Sequence, residues 1–169
     1  MIRIGIDFGG SKIEAAALDA DNRLLARVRR PNPCAYEEAL ATVRELVEQI
    51  EAAWGAGTVG MGIPGSISPA TGRARNANSV WLNGRSLPQD IERVLDRPVR
   101  MANDANCLAL SETADGAAAG ADVAFAVIIG SGCGASVTVG ARPLEGRNGI
   151  AGEWGHTPLP WQQPDERPG

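Results

Sequence analysis

The sequence predicts a mixed α/β fold built around a β-sheet. Residues 1–30 alternate apolar and polar side chains with a period of two, which is typical of strands. From residue 36 onward, a segment with helical apolar periodicity is followed by short apolar segments and further helical ones. A meander of strands followed by alternating strands and helices indicates a mixed sheet covered by helices.

Three strands are predicted in the first thirty residues. Residues 13–18 and 24–28 continue the apolar pattern, after breaks at Gly9-Gly10 and at the polar residues 19–22. The first strand carries its apolar side chains at every second position, namely Ile2, Ile4, Ile6 and Phe8.

The remaining elements follow from changes of period. A helix is predicted from Tyr36 to Trp54, because its apolar residues fall on one face and Gly55 follows its end. Residues 66–86, rich in Ser, Asn, Gly and Arg, are predicted to be a long loop, and the Pro-rich tail after His156 to be irregular. Further strands are predicted at 58–63, 99–102, 123–129 and 135–139, and further helices at 87–95 and 105–119.

Charge and composition exclude several classes of function. The 169 residues include 16 Lys and Arg and 20 Asp and Glu, giving a net charge of −4, with the basic residues spread singly. This is not the footprint of a nucleic-acid-binding protein. No apolar stretch approaches the roughly 20 residues that span a bilayer, and the N-terminus does not have the pattern of a secretory signal. Three widely spaced cysteines, Cys34, Cys107 and Cys133, predict reduced thiols in a cytoplasmic protein.

Two glycine-rich segments lie between predicted strands, at residues 7–12 and 130–134. Neither enters a helix, so neither is a P-loop or a Rossmann turn. A turn between strands can direct backbone N–H groups at a phosphate, with Ser11 and Lys12 as further donors and Asp7 as a ligand of Mg²⁺. Each segment alone can equally be an ordinary hairpin, but two of them favour a triphosphate bound between two lobes.

Polar residues at the junction of a predicted strand and helix form the motif Asn103-Asp104-Ala105-Asn106. A carboxylate at this point can accept the proton of a hydroxyl that attacks a γ-phosphate. An acidic residue before an Ala-rich helix is also what an N-cap requires. Spacing alone leaves both roles open.

Two other segments carry polar groups suited to a sugar. Residues 75–83 offer amides and an indole, which can bind sugar hydroxyls and the apolar side of a ring, although a plain polar loop fits the composition as well. Glu153 and His156 are three residues apart and can face one ligand together. A lone histidine is otherwise more often a structural hydrogen-bonding group.

Taken in order, these segments resemble the ROK kinases of the actin/hexokinase/Hsp70 superfamily. Residues 5–12 and 130–134 resemble the two phosphate segments, and residues 152–156 resemble the sugar-contacting signature, with 60–65 and 103–106 as landmarks between them. The resemblance runs to about Trp161. It implies a ribonuclease H-like fold, with an N-terminal ATPase-like domain over 1–120 and the incomplete start of a C-terminal domain over 121–169.

The resemblance also implies an activity, the ATP-dependent phosphorylation of a hexose with Asp104 as the general base. Residues 78–84 and 154–161 look most like bacterial fructokinases, which implies conversion of fructose to fructose 6-phosphate, with glucokinase or N-acetylglucosamine kinase as the alternative. The implied sugar contacts are Asn78, Asn103, Asp104, Glu153 and His156. The implied contacts to ATP and Mg²⁺ are Asp7, Gly9, Gly10, Ser11, Lys12, Gly130, Ser131, Gly132, Cys133 and Gly134.

The sequence lacks one part of the family pattern, a CxCGxxGC segment and the rest of the second domain. The resemblance implies that His156 is a Zn²⁺ ligand only when those cysteines are supplied. It also leaves open a different class of function, a catalytically inactive ROK fragment or a sugar-sensing regulator module. Strands 123–129 and 135–139 would lack sheet neighbours, which predicts a homodimer through this region.

Overall fold

The computed structural model describes residues 1–130, 132–155 and 161. The chain forms two compact units, Met1–Asp104 and a second that begins at Ala105. The domain boundary at residue 120, which the resemblance implied, stays a prediction.

The first unit contains a meander, two crossover helices and a short hairpin. Its elements are β1 (Ile2–Phe8), β2 (Lys12–Leu18), β3 (Leu24–Pro31), α1 (Tyr36–Trp54), β4 (Gly57–Ile63), β5 (Ser66–Ile67), β6 (Ala74–Arg75), a 3-10 turn at Val80–Leu82, α2 (Leu87–Leu95) and β7 (Val99–Asn103).

The main sheet of this unit has the strand order β3-β2-β1-β4-β7. The first three strands are antiparallel, whereas β4 and β7 run parallel to β1. Parallel neighbours require crossover connections, and α1 and α2 lie in those connections. The carboxyl ends of β1, β4 and β7 therefore meet at one edge of the sheet.

The core of the first unit lies between one face of this sheet and the apolar stripe of α1. Alternate residues of β1, ending with Phe8, point into it, and Val43 and Leu46 of α1 are fully buried against them. The alternate buried residues of β1 correspond to the period-two apolar pattern of the sequence, and the buried stripe of α1 corresponds to the period-3.6 pattern. The predicted strands and helices of this unit are confirmed, with end shifts of up to three residues, the largest at the end of β3.

One prediction for this unit was wrong, because residues 66–86 are not a structureless loop. They contain the hairpin of β5 and β6 and the 3-10 turn. Strands of two residues are too short to carry a period, so the sequence pattern gave no sign of them. The hairpin starts at Gly65, whose φ of +71° and close approach to Arg75 exclude a side chain: a Cβ on Gly65 would lie 2.4 Å from the Arg75 carbonyl oxygen.

The second unit follows β7 directly through helix α3 (Asp104–Asp115). It continues with β8 (Val123–Ile129), β9 (Cys133–Val139) and β10 (Arg142–Pro143), which form a sheet in the order β10-β9-β8. The helix ends four residues before the predicted position 119, β9 begins two residues before the predicted position 135, and β10 was not predicted. The region after Asp115 forms turns, starting at Gly116.

Polar side chains are buried in the second unit. Ser136 Oγ on β9 donates a hydrogen bond of 2.6 Å to Asn106 Oδ1 on α3, and both residues are buried. Thr138, two residues further along β9, is buried with no hydrogen-bond partner for its hydroxyl in the described part of the chain.

None of the helices in the described residues is long and apolar enough to cross a bilayer.

Candidate phosphate and sugar site

The carboxyl-end edge of the main sheet collects several of the residues predicted to carry the chemistry. Asp7 of β1 is paired with Gly62 of β4, which is in turn paired with Ala102 of β7. Two strand spacings put the Cα atoms of Asp7 and Ala102 roughly 10 Å apart. Asn103 and Asp104 come next along the chain, so Asp7 and Asp104 belong to the same edge.

The glycine turn between β1 and β2 has a fixed backbone. A Cβ on Gly9 would lie 2.8 Å from the carbonyl oxygen of Lys12, so this position requires glycine. From the other side, Asn32 Nδ2 donates to the Gly9 carbonyl at 2.7 Å and Asn32 N donates to the Ser11 carbonyl at 2.9 Å. Gly10 and Ser11 remain exposed at the tip of the turn. The turn is therefore a preorganised backbone loop with an accessible tip.

Asn32 was missed by the sequence reasoning. It is 7% exposed, and its Oδ1 also accepts a hydrogen bond from Cys34 N at 2.9 Å. An Asn between Pro31 and Pro33, just after a strand, is a signal that could have found it, because Asn side chains commonly bond to nearby backbone groups at such turns.

Glu14 and Asp7 are neighbouring acidic residues on β2 and β1, and their charged neighbours differ. Glu14 lies opposite Asp7 on β2 and accepts hydrogen bonds from Arg27 and from Lys12 Nζ, the latter at 3.4 Å. The Arg27 hydrogen bond lowers the pKa of Glu14. Asp7 makes no salt bridge within 1–130, 132–155 and 161.

Asp7 is exposed, but neighbouring residues partly desolvate its carboxyl group. Partial burial raises the pKa of Asp7, Lys12 opposes this increase, and Glu14 adds to it. A cation next to Asp7 would favour its ionised form, so the residue fits a Mg²⁺ ion that is also held by phosphate oxygens. Lys12, which is paired with Glu14 at a partly exposed position, remains able to reach a phosphate.

Asn103 is the last residue of β7, and Asp104 is the first residue of the helix that follows. Asn103 Nδ2 donates a hydrogen bond of 2.8 Å to the carbonyl of Gly65, which joins the ends of β7 and β4. Asp104 is half-buried and is the first residue of α3, where the helix dipole favours negative charge. This is the strand-to-helix junction that the sequence predicted.

The segment around Asn78 lies against the glycine turn. Asn78 is exposed, and Ser79 Oγ lies 3.6 Å from where a Cβ on Gly10 would be. The ring of Trp81 contacts Phe8, with 6.0 Å between centroids, so the indole packs partly on the core. Asn78 is thus placed beside the glycine turn, whereas Trp81 is partly buried.

The second unit brings together a second group of predicted residues. The turn between β8 and β9 is closed by a hydrogen bond of 2.9 Å from Gly130 N to the carbonyl of Gly132. Gly155 approaches Cys133 so closely that a Cβ would lie 1.8 Å from the Cys133 carbonyl oxygen. The turn that carries the exposed Glu153 therefore packs at the start of β9. Gly134 belongs to the same hairpin, whereas Ser131 and His156 lie outside the described residues.

The residues that the structure describes do not form a Zn²⁺ site. Across 1–130, 132–155 and 161, no group of three or more His, Cys, Asp or Glu side chains is arranged to bind a metal ion. Cys34, Cys107 and Cys133 form no disulfide, and they lie before α1, on α3 and on β9 respectively.

An open cavity of about 450 Å³ lies in the hairpin region of the first unit. Three residues of the polar segment 75–83 line it, but none of the residues that the resemblance implies as contacts to ATP or sugar does. Its lining residues are Ser68, Thr71, Arg73, Ala74, Arg75, Asn76, Asn83 and Gly84.

Comparison with known proteins identifies a family and several relatives. The sequence profile of the ROK family matches residues 3–168. The N-acetyl-D-glucosamine kinase of Pectobacterium atrosepticum is 40% identical over 158 residues, which cover 92% of this chain and 52% of that enzyme.

Solved structures agree with the sequence match. A ROK family glucokinase from Streptomyces griseus, in complex with glucose and AMPPNP, is 27% identical with a TM-score of 0.84 over 92% of this chain and 50% of its own. A ROK hexokinase from Thermus thermophilus is 34% identical with a TM-score of 0.79 over 94% and 54%. The predicted fold class is thereby confirmed.

The chain spans about half the length of these relatives. The family profile covers nearly all of it, and the fold agrees with that match. The chain therefore belongs to the ROK family.

Proposed function

We propose that this chain is the ATP- and sugar-contacting part of an enzyme that phosphorylates N-acetylglucosamine. The observation that carries the proposal is the shared edge of the sheet. Asp7 lies near the carboxyl end of β1 and the preorganised glycine turn follows that strand, while Asp104 follows β7, two strand spacings away. This arrangement supports the proposal, because a phosphate-binding turn, a cation ligand and a base would then lie in one place.

The choice of sugar comes from the relatives. The curated relative that is 40% identical acts on N-acetyl-D-glucosamine by its name, and the structure from Streptomyces griseus is a glucokinase. Fructose, which the sequence pattern at 78–84 suggested, gains no support from them. N-acetylglucosamine is therefore the proposed substrate, and glucose is the second candidate.

Asp104 would act on the acceptor hydroxyl of the sugar. As the hydroxyl oxygen attacks the γ-phosphorus of ATP, its proton passes to the Asp104 carboxylate, and the bond from the γ-phosphorus to the bridging oxygen of ADP breaks. Asn78 and Asn103, with Glu153 and His156 as further proposed contacts, would orient the sugar. Orientation of this kind is a large part of catalysis in phosphoryl transfer.

The glycine turns would bind the phosphates. One proposed phosphate-binding turn consists of Gly9, Gly10, Ser11 and Lys12, and the other of residues 130–134. Asp7 would bind Mg²⁺, whose charge offsets that of the phosphate oxygens. These roles, and a cytoplasmic location, are parts of the same proposal.

A hybrid enzyme tests the assignment. Residues 1–168 would replace the matching segment of the Pectobacterium atrosepticum kinase, and phosphorylation of N-acetylglucosamine, glucose and fructose would be measured at equal concentrations. We expect N-acetylglucosamine to have the highest kcat/KM. Asp104→Asn should lower kcat by about 10²- to 10⁴-fold with sugar binding retained, because only the proton transfer is removed.

Asp115→Asn is the matched control, since Asp115 is an exposed carboxylate at the other end of the same helix. It should leave kcat unchanged. Equal loss in both variants would contradict the role of Asp104, and preference for fructose would contradict the choice of sugar. A hybrid that binds sugar and ATP without turnover would instead favour a sugar-binding module, the second class of function.

A further inference from the structure

The hydroxyl group of Ser79 lies next to the tip of the glycine turn. Among the described residues, and apart from its chain neighbours, the atom nearest to a Cβ placed on Gly10 is Ser79 Oγ, at 3.6 Å. The hydroxyl oxygen is therefore at most roughly 5 Å from the Gly10 Cα atom, one bond length further. Gly10 is exposed, whereas Ser79 is only 9% exposed. A largely buried hydroxyl group thus borders the accessible part of the turn.

The backbone does not require glycine at position 10. The φ angle of Gly10 is not in the left-handed region, and a Cβ there would make only an ordinary van der Waals contact with Ser79. Gly9 differs, because its Cβ would lie 2.8 Å from the Lys12 carbonyl oxygen. Glycine at position 10 therefore leaves a space beside the Ser79 hydroxyl that the fold itself does not need. This space is open to a ligand that binds at the turn.

The Ser79 hydroxyl is not used by the 3-10 turn that it precedes. A serine directly before a helical turn usually accepts a hydrogen bond from one of the first backbone N–H groups of that turn. Ser79 Oγ makes no such bond, and the Ser79 carbonyl accepts a hydrogen bond of 2.9 Å from Leu82 N. The hydroxyl group lies towards Gly10 instead.

The segment that carries Ser79 is held in place on both sides. Asn83 Oδ1 accepts a hydrogen bond of 3.0 Å from Ala77 N, and Asn83 Nδ2 donates one of 3.2 Å to the Ala77 carbonyl. The ring of Trp81 packs on Phe8, the residue directly before the glycine turn. Because these contacts fix the segment before any ligand binds, a ligand would lose little free energy in ordering it.

We propose that Ser79 Oγ donates a hydrogen bond to an oxygen of the phosphate group that the glycine turn binds. The inference rests on the proposed function, in which the turn presents backbone N–H groups to the phosphates of ATP. A phosphate oxygen accepts a hydroxyl at about 2.7 Å and a backbone N–H at about 2.9 Å. One phosphate group, with several oxygens, therefore fits between the turn and Ser79, in the space that Gly10 leaves open.

The phosphate concerned is the γ-phosphate. Ser79 directly follows Asn78, which is a proposed contact to the sugar. The phosphate that lies closest to the sugar is the one that is transferred, so a hydroxyl next to Asn78 would bind that group. Ser79 would then help to align the γ-phosphate with the acceptor hydroxyl, and alignment is a large part of catalysis in phosphoryl transfer.

Nucleotide binding to the hybrid enzyme tests the contact. Ser79→Ala removes one oxygen atom and leaves the backbone bond to Leu82 unchanged. We expect the dissociation constant for AMPPNP to rise at least roughly tenfold, because a hydrogen bond to a charged group is lost. The dissociation constant for ADP and the melting temperature should stay unchanged. Gly10→Ala should give the same selective loss, because its methyl group fills the space beside Ser79. Calorimetric titration measures both nucleotides.

Ser86→Ala is the matched control. Ser86 directly precedes α2, likewise forms no capping hydrogen bond with its side chain, and lies more than 4 Å from the Cβ positions of Gly9 and Gly10. Its affinities for AMPPNP and ADP should equal those of the parent hybrid. Equal weakening of both nucleotides by Ser79→Ala, together with a lower melting temperature, would show a structural role and overturn the proposal.

Lys12→Met separates this proposal from the proposed function, because it removes another phosphate contact of the same turn. Weaker AMPPNP binding in Lys12→Met but not in Ser79→Ala would overturn the Ser79 contact and leave the turn as the phosphate site. Unchanged binding in both variants would contradict the turn as a phosphate site, and the Ser79 contact with it. Selective loss of AMPPNP in both variants would support both.

Discussion

Asn32 shows how one buried amide can determine the shape of a functional turn. Its side chain and backbone together form hydrogen bonds with Gly9, Ser11 and Cys34, none of which is itself buried. Because the turn would bind phosphate through its backbone, its conformation matters more than its side chains. Asn32 is accordingly a positioning residue for the proposed ATP site.

Substitution of Asn32 should affect stability as well as nucleotide binding. Asn32→Ala removes the partners of the Gly9 carbonyl and Cys34 N, and we expect the free energy of unfolding to fall by about 1–3 kcal/mol. Urea denaturation measures this change. In the hybrid enzyme, KM for ATP should rise.

Asn78→Ala is the contrasting variant, because Asn78 is exposed beside the same turn. Its unfolding free energy should change by less than about 0.5 kcal/mol, while KM for the sugar rises. If both variants behaved alike in both measurements, the division between a positioning amide and a ligand-contacting amide would be wrong.

At the scale of single residues, the sequence predicted the positions of candidate site residues better than it predicted their contacts. Asp7 and Asp104 were placed at strand ends by pattern, and the parallel register brings those ends to one edge. The position of Asn32 between two prolines was a local signal of a turn, but its bonds to Gly9 and Ser11 join residues more than twenty positions apart and could not be read from the sequence. Their roles in binding and catalysis stay predictions.

An ion pair connects the end of α1 to the start of the strands that follow it. Glu51 Oε2 accepts a hydrogen bond of 3.0 Å from Arg97 Nη2, and Glu51 Oε1 accepts one of 3.0 Å from Gly57 N. Arg97 also donates to the Gly57 carbonyl at 3.1 Å. The pair thus joins a helix end to the first residue of β4 and to the turn before β7.

This pair should make stability depend on pH. The hydrogen bond from Arg97 lowers the pKa of Glu51 from its ordinary value of 4.5. A carboxyl whose pKa is lowered on folding stabilises the protein above its unfolded pKa, and this contribution is lost as the pH falls through the folded pKa. We expect Glu51→Gln to cost about 1–3 kcal/mol at pH 7 and to flatten the fall in stability below pH 4.5.

Glu48→Gln on the same helix is the control. Glu48 pairs with Arg44 at 3.3 Å, but both side chains are more than half exposed. Its removal should cost less than about 0.5 kcal/mol and leave the pH profile unchanged. Denaturant unfolding at several pH values compares the three proteins, and a Glu51→Gln profile parallel to the parent would contradict the prediction.

Elements with a long apolar period were predictable, and short or register-dependent ones were not. The nineteen-residue α1 and the seven-residue strands carry enough positions to define a period. The two-residue strands β5, β6 and β10 do not, since only their pairing with another strand defines them. The strand order β3-β2-β1-β4-β7 depends on such pairing throughout.

The two units differ in how much apolar surface they bury. The large buried cluster of Phe8, Leu46 and their neighbours lies entirely within Met1–Asp104. In the described part of the second unit, the buried apolar residues are Ala105, Ala109 and Ala135, with Ser136 and Thr138 as buried polar neighbours. Small buried side chains contribute less hydrophobic stabilisation than large ones.

Amide hydrogen exchange should therefore distinguish the two units. At protein concentrations low enough for the chain to be monomeric, we expect amides of β9 to exchange at least roughly tenfold faster than those of β4. Mass spectrometry of peptides from each strand measures the rates. Equal protection of the two strands would show that the units unfold together as one cooperative body.

The position of Cys34 has a practical consequence for measuring ligand binding. Its backbone is left-handed with φ of +57°, its thiol is exposed, and its sulfur lies 3.8 Å from the carbonyl oxygen of Gly10, whereas Cys107 and Cys133 are half-buried. A thiol-reactive fluorophore would label the unaltered chain first at Cys34. Emission from that label would report directly on occupation of the glycine turn by nucleotide, so binding could be followed optically even in a chain that does not turn over.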